Sequence, residues 1–225
     1  MSDQLNRCRM LFGDEKIQKL QKATVMVVGC GAVGSFAIEA LARTGIGNII
    51  VIDFDRIEES NINRQIIATN STLNRKKADV IQERIADINP NIKVTALDIF
   101  FDENTALPTR PDFVIDAIDT VPSKIALYRW CNDNNIPFIS AMGAARKTDP
   151  SKIKIDKISK TFACPLAARI RKIVRDEKLP NFPVVFSTQE PCGQIAKNKS
   201  FGSVITVTGT FGLMMANYVI QKIIA

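Results

Sequence analysis

One short stretch constrains this chain more than any other. The apolar run Thr24–Val28 passes directly into Gly29-Cys30-Gly31-Ala32-Val33-Gly34, and the amphipathic segment Ser35–Thr44 follows, ended by Gly45. A continuous β-branched run reads as a strand buried on both faces, which is the condition of a strand in a parallel sheet. Glycines at that spacing permit a tight turn and let backbone N–H groups approach a phosphate at the positive end of the next helix. A second run, Asn48–Ile52, delivers Asp53 to its carboxyl end, where a carboxylate can accept hydrogen bonds from ribose hydroxyls. Strand, glycine loop, helix and strand together predict a βαβ unit, so the chain is α/β and a nucleotide-binding role is expected.

The remaining sequence extends this pattern. Lys76–Ile88 has helical apolar spacing at Ala78, Ile81, Ile85 and Ile88 and is stopped by Asn89-Pro90. Strands are predicted at Lys93–Leu97, Phe113–Ile115 and Phe138–Ser140, with a helix over Lys124–Asn132. Ile153–Ile158 alternates as an edge or antiparallel strand would, and Pro165–Lys178 reads as a basic amphipathic helix. Pro180–Ser200 lacks periodicity and reads as a long loop. Ser200–Gln221 carries no charge, but its glycines, its asparagine and its hydroxyl residues favour a buried strand and helix over a membrane span. The prediction is one domain over residues 1–225, with a doubly wound, mostly parallel Rossmann-like sheet and an antiparallel extension in the carboxyl-terminal part. A nucleotide-binding core would cover about 20–142 and a substrate-recognition region about 143–225.

Composition narrows the chemistry. The chain has no histidine, which excludes His-based triads, His-ligated metals and His proton shuttles. Thirty Lys and Arg against twenty-three Asp and Glu leave a formal charge of +7, which suits a polyanionic substrate or an ordinary solvated surface. The five cysteines, Cys8, Cys30, Cys131, Cys164 and Cys192, form no C-x-x-C pair, so a structural zinc site is not expected and a reducing, cytoplasmic setting fits. Cys192, in the polar loop Glu190-Pro191-Cys192-Gly193, is read as the exposed one, whereas Cys30 and Cys131 are read as packing residues.

What the nucleotide is follows from the next residues. Asp53-Phe54-Asp55 is succeeded by Ser60-Asn61-Ile62-Asn63-Arg64-Gln65, by Lys77, and by Asp116-Ala117-Ile118-Asp119-Thr120. A nicotinamide enzyme grips a diphosphate through its glycine loop and has no evident use for these charges. A triphosphate does: Arg64 and Lys77 can neutralise it as its α-phosphorus is attacked, while Asp119 can hold Mg²⁺. Taken alone, Arg64 and Lys77 read better as surface charges and Asp116 as a strand-end cap. Their joint order is the specific signal.

That order, from about Arg9 to the carboxyl end, resembles the ubiquitin-activating-type adenylylating family, which includes the molybdopterin-synthase and thiamine sulfur-carrier adenylyltransferases. The resemblance implies an ATP site made of Gly29, Gly31, Gly34, Asp53, Asp55, Asn61, Arg64, Gln65, Lys77, Asp119 and Thr120. It also implies Arg64, Lys77 and Asp119 as catalytic residues, with Mg²⁺ on Asp119. In that family an arginine from the partner subunit's amino-terminal segment completes the site; Arg9 stands in the matching place, so a homodimer is implied. A monovalent cation and a sulfur-relay partner are further candidates.

Features outside the nucleotide site choose a branch. The carrier-activating branches usually carry two zinc-binding C-x-x-C pairs, absent here. Ala40-Leu41-Ala42-Arg43-Thr44-Gly45-Ile46-Gly47, Lys160-Thr161, Pro165-Leu166-Ala167-Ala168-Arg169-Ile170-Arg171 and Val185-Phe186-Ser187-Thr188-Gln189 are similar to the tRNA threonylcarbamoyladenosine dehydratases. Cys164 replaces the acid expected before Pro165, and the segment Gln189–Ser200 is shorter than usual. This branch uses ATP to activate the threonylcarbamoyl carboxylate beside the anticodon, so that it closes to a hydantoin. The resemblance thus implies tRNA, not DNA, as partner, with Arg169, Arg171, Lys172 and Arg175 as phosphate contacts. The alternative it leaves is adenylylation of a small ubiquitin-like sulfur carrier. The uncharged carboxyl-terminal segment leaves contact with a membrane surface open.

Overall fold

The computed structural model describes residues 4–193 and 201–225. One seven-stranded sheet organises them, in the spatial order β3-β2-β1-β4-β5-β7-β6. The strands are β1 (Thr24–Val28), β2 (Asn48–Ile52), β3 (Lys93–Leu97), β4 (Phe113–Asp116), β5 (Phe138–Ala141), β6 (Ile153–Lys157) and β7 (Pro183–Ser187). Every pairing is parallel except that of β6 with β7, which puts the expected antiparallel extension at the sheet's edge. The helices are α1 (Asn6–Phe12), α2 (Asp14–Lys22), α3 (Gly34–Thr44), α4 (Lys77–Ile88), α5 (Val121–Asp133), α6 (Pro165–Asp176) and α7 (Ile205–Ile224).

Alternation along the strands builds two layers. Val25, Val27, Ile49, Val51, Ile115 and Ile139 face the side covered by α2, α3, α4 and α7, where Leu20, Ile38, Leu41, Ile81, Phe211 and Met215 pack on them. Met26, Val28, Ile50, Ile52 and Val114 face the other side, with Leu127 and Cys131 of α5. A smaller cluster of Tyr128, Ile170, Val174, Phe182, Val184 and Phe186 seats α6 beside α5. Filling both faces with hydrocarbon is why the inner strands are apolar without interruption.

Two sequence expectations need correction. The stretch read as a loop contains β7, which enters the sheet between β5 and β6. Its apolar core is only Val184-Val185-Phe186, between Pro183 and Ser187, too short to show a period. Conversely, the strand expected at the start of Ser200–Gln221 is not found among the described residues there: Ile205-Thr206-Val207-Thr208 begins the helix. Val207, Phe211, Met215 and Val219 are all fully buried at intervals of four, the period of a helix face. Sequence analysis placed no element before β1, where α1 and α2 form. No described helix is long and apolar enough to cross a membrane.

The close approach of α7 to the amino-terminal end of α3 depends on Gly212. A Cβ there would lie 2.3 Å from the Val33 carbonyl oxygen and 2.9 Å from the Ala37 nitrogen. Because both neighbours are backbone, Gly212→Ala forces the helices apart and is expected to destabilise by about 1–3 kcal/mol. Urea denaturation measures it; an unchanged midpoint would show that the two helices can separate freely.

Candidate active site

The strand order reverses between β1 and β4, and the crevice at such a switch point is where doubly wound sheets bind ligands. Here a cleft of about 780 Å³ opens at the carboxyl ends of the strands. Its floor is the glycine loop. Gly29 has φ +92°, and a Cβ on it would sit 2.7 Å from the Ala117 carbonyl oxygen; a Cβ on Gly34 would sit 1.7 Å from the Gly29 carbonyl oxygen. Only glycine therefore lets the loop close under α3 and against the segment after β4. Gly29 and Gly31 line the cleft; Gly34, in the first turn of α3, shapes the loop from behind.

Asp53 sits at the end of β2. One carboxylate oxygen accepts the Cys30 N–H at 2.6 Å and the other accepts the Asp55 N–H at 2.8 Å, which fixes the group against the glycine loop. Burial pushes the Asp53 carboxyl above its usual range, opposed by the Lys77 charge and by these two N–H groups. The same burial, helped by Asp53, pushes the Cys30 thiol well up, and burial does likewise at Cys131, so both remain neutral packing residues. Lys77, at the start of α4, places its ammonium 2.7 Å from Asp55. The Arg64 guanidinium is held by the Ser60 carbonyl at 2.6 Å and by the Asn63 side chain at 2.9 Å.

Asp53, Asp55, Asn61, Arg64, Gln65, Lys77, Asp119 and Thr120 all line this one cleft. Asp53, Asn61, Gln65 and Lys77 are each less than a tenth exposed. Within the described residues Gln65 Oε1 and Ser123 Oγ, both in cleft-lining residues, have no hydrogen-bond partner. Burying polar groups is costly unless something satisfies them, so an orphaned amide oxygen and hydroxyl beside fixed charges fit a polar ligand. No cluster of three potential metal ligands occurs among the described residues. The Asp119 carboxylate lines the cleft and could hold Mg²⁺, an ion usually bound through one or two carboxylates together with waters and substrate phosphates.

Sequence reasoning missed what lies beneath Asp119. Asp116 and Lys124 are both fully buried and paired at 2.7 Å. Ser140 donates to Asp116 at 2.5 Å, so its oxygen's lone pairs take Lys124 at 3.2 Å and the Tyr128 hydroxyl at 2.6 Å. The other Asp116 oxygen accepts the Ile118 N–H at 3.1 Å. This satisfied network holds Ala117 to Thr120 in place along the cleft. The signal for it was a lysine on the inward face of α5, three and four residues before Leu127 and Tyr128.

Other expected residues lie elsewhere. Arg9 is on α1, bonded to Asp14 at 2.9 Å, and does not line its own chain's cleft. Arg169, Lys172 and Arg175 are exposed on α6, but the Arg171 guanidinium turns inward onto the Thr161 carbonyl and hydroxyl. Cys192, expected to be exposed, is half-buried, with its thiol 3.4 Å from the Arg146 carbonyl oxygen. The expected long loop Pro180–Ser200 lies, from residue 194 on, outside the described residues.

The chain is 44% identical over 195 residues to the tRNA threonylcarbamoyladenosine dehydratase of Bacillus subtilis, covering 85% of this chain and 77% of that protein. It is 36% identical over 244 residues to the Escherichia coli dehydratase, covering 96% and 91%. The crystal structure of the E. coli enzyme in complex with ATP superposes with a TM-score of 0.91, at 36% identity, over 98% of this chain and 93% of that one. A glycine-loop cleft of this layout, these relatives and a match of the ThiF family model to residues 4–225 together establish that the chain belongs to the ThiF family.

Proposed function

We propose that this protein is an ATP-dependent tRNA threonylcarbamoyladenosine dehydratase. The observation that carries the reading is the convergence on one cleft of a phosphate-seating glycine loop with Arg64, Lys77 and Asp119. The glycine loop and Asp53 bind the nucleotide. Arg64 and Lys77 neutralise the phosphates as a substrate carboxylate oxygen bonds to the α-phosphorus and pyrophosphate leaves. Asp119 would hold Mg²⁺, which supplies further charge neutralisation on the phosphates. A carbamoyl nitrogen of the same threonylcarbamoyl group then attacks the activated acyl carbon, loses its proton, and AMP departs with the former carboxylate oxygen. Ring closure is intramolecular, so positioning supplies much of the rate and no enzyme nucleophile is required. The absence of histidine is compatible with this chemistry.

Arg9 acts in trans in this reading, within a homodimer. Support comes from its place on α1 beside Met10 and Leu11, which are 74% and 75% exposed, an apolar pair that a partner subunit would cover. The exposed Arg169, Lys172 and Arg175 contact tRNA phosphates, an attraction that weakens with salt. Arg171 positions α6 instead of meeting the RNA. The setting is cytoplasmic.

The test incubates the full chain with ATP, Mg²⁺ and tRNA bearing the open threonylcarbamoyl group, then weighs the released nucleosides. Loss of one water from the modified adenosine is expected. Pyrophosphate exchange driven only by a carrier protein's carboxyl terminus, with the nucleoside unchanged, would replace this reading with carrier adenylylation.

A further inference from the structure

Lys147 is 3% exposed, and among the described residues it makes no ion pair. Its ammonium donates instead to two backbone carbonyls, Ala163 at 2.8 Å and Gln189. Three segments distant in sequence meet there: the loop after β5, the turn before α6 and the loop after β7. Each feeds the same wall of the cleft. Gly143, Ala144 and Ala145 precede Lys147, and Leu166 follows Ala163.

Neighbouring contacts tie the junction together. The Gln189 side-chain oxygen accepts the N–H groups of Thr148 and Asp149, both at 3.0 Å, and Arg146 accepts the Cys192 N–H at 2.9 Å. Arg146 also donates its N–H to the Gly202 carbonyl at 2.8 Å, between the cleft-lining Phe201 and Ser203. Arg146 and Ala163 hold φ of +60° and +52°, a region that non-glycine residues rarely occupy and keep only where their surroundings enforce it. Burial pushes the Lys147 pKa below the ordinary lysine value, with Cys164 and Glu190 acting in the opposite sense. An apolar side chain would fill this position without that cost. A cation bound by carbonyl oxygens would bind like a small monovalent ion.

We infer that Lys147 is a positioning residue: its ammonium is a monovalent cation carried within the chain, around which the wall Gly143 to Ala145, Leu166 and Phe201 to Ser203 is assembled. At this place the protein needs no added ion. The turnover part of the test rests on the proposed dehydratase activity, whereas the thermal part does not.

The experiment compares the unsubstituted protein, Lys147→Ala and Lys147→Met in choline chloride at fixed ionic strength, with K⁺, methylammonium or tetramethylammonium added. The unsubstituted protein is expected to show the same melting midpoint and turnover with every ion. Lys147→Ala is expected to melt about 5 °C lower. Its kcat is expected to fall on the order of 10- to 100-fold with little change in KM for ATP, because the wall and not the phosphate seat is displaced. Methylammonium or K⁺ should restore the midpoint and kcat together, and tetramethylammonium, whose methyl groups block the carbonyls, should not. Full activity and stability in Lys147→Met would overturn the inference, as would a Lys147→Ala defect that no small cation relieves, or a strict K⁺ requirement in the unsubstituted protein. If Lys147→Ala does not fold, Lys147→Gln, which keeps a donor without the charge, takes its place in the titration. If the unsubstituted protein dehydrates nothing, the functional reading falls while the thermal titration still decides the role of Lys147.

Discussion

Lys124→Ala is expected to cost about 3–5 kcal/mol, the usual penalty for stranding one member of a buried ion pair. Asp116 is completely enclosed, and its partner supplies the charge that compensates it. Removing the ammonium leaves a desolvated carboxylate with one hydroxyl and one amide donor, and leaves a cavity where the lysine stem lay. The Tyr128 phenol, kept neutral because burial and the nearby Asp116 charge push its pKa well up, carries no positive charge to replace the ammonium. Urea denaturation gives the magnitude. The double replacement Asp116→Leu with Lys124→Met is expected to cost less than the two single changes added together, because it removes the charge instead of orphaning it. Additive losses would mean that the two residues do not act as a pair. Since Ala117 to Thr120 leave β4 from this network, the single variant should also lower turnover by misplacing Asp119.

Lys77→Ala is expected to reduce turnover by about 10²- to 10³-fold, the scale on which loss of one preorganised charge at a developing anion is felt. The side chain is 6% exposed and aimed into the cleft by Asp55. Asp55 is itself half exposed, so it tolerates losing its partner far better than Asp116 does, and a small thermal shift is expected alongside the large kinetic one. The expected contrast separates the lysines: a loss chiefly of stability for Lys124→Ala and chiefly of turnover for Lys77→Ala. Turnover of Lys77→Ala within tenfold of the unsubstituted protein, with tRNA dehydration as the assay, would remove Lys77 from the chemistry.

The nucleotide half of this protein was legible because its information is local. Thr24–Val28, the glycine loop and Asp53 each carry a conformational demand that neighbouring residues state, and the hydrophobic period reports which face is buried. The carboxyl-terminal half was read less well. Val184-Val185-Phe186 becomes a strand because a gap between β5 and β6 receives it, and Ile205-Thr206-Val207-Thr208 becomes helical because α3 offers an apolar face and Gly212 permits close packing. β-branched residues suit either outcome, so local preference could not choose.

The candidate site divides similarly. Arg64, Lys77 and Asp119 could be named from their order in the chain, since a triphosphate asks for those charges. Lys124 and Lys147 could not, because a lysine in a sequence is presumed solvated and only tertiary packing removes its water. The sequence alone determined the sheet's parallel core, the glycine loop and the charges that line the cleft. The tertiary structure alone decided where β7 enters the sheet, which arginine of α6 turns inward, and that Lys124 is buried against a carboxylate and Lys147 against carbonyls. Burial is a property of distant segments brought together, and it sets whether a charge is a surface ornament or a structural necessity.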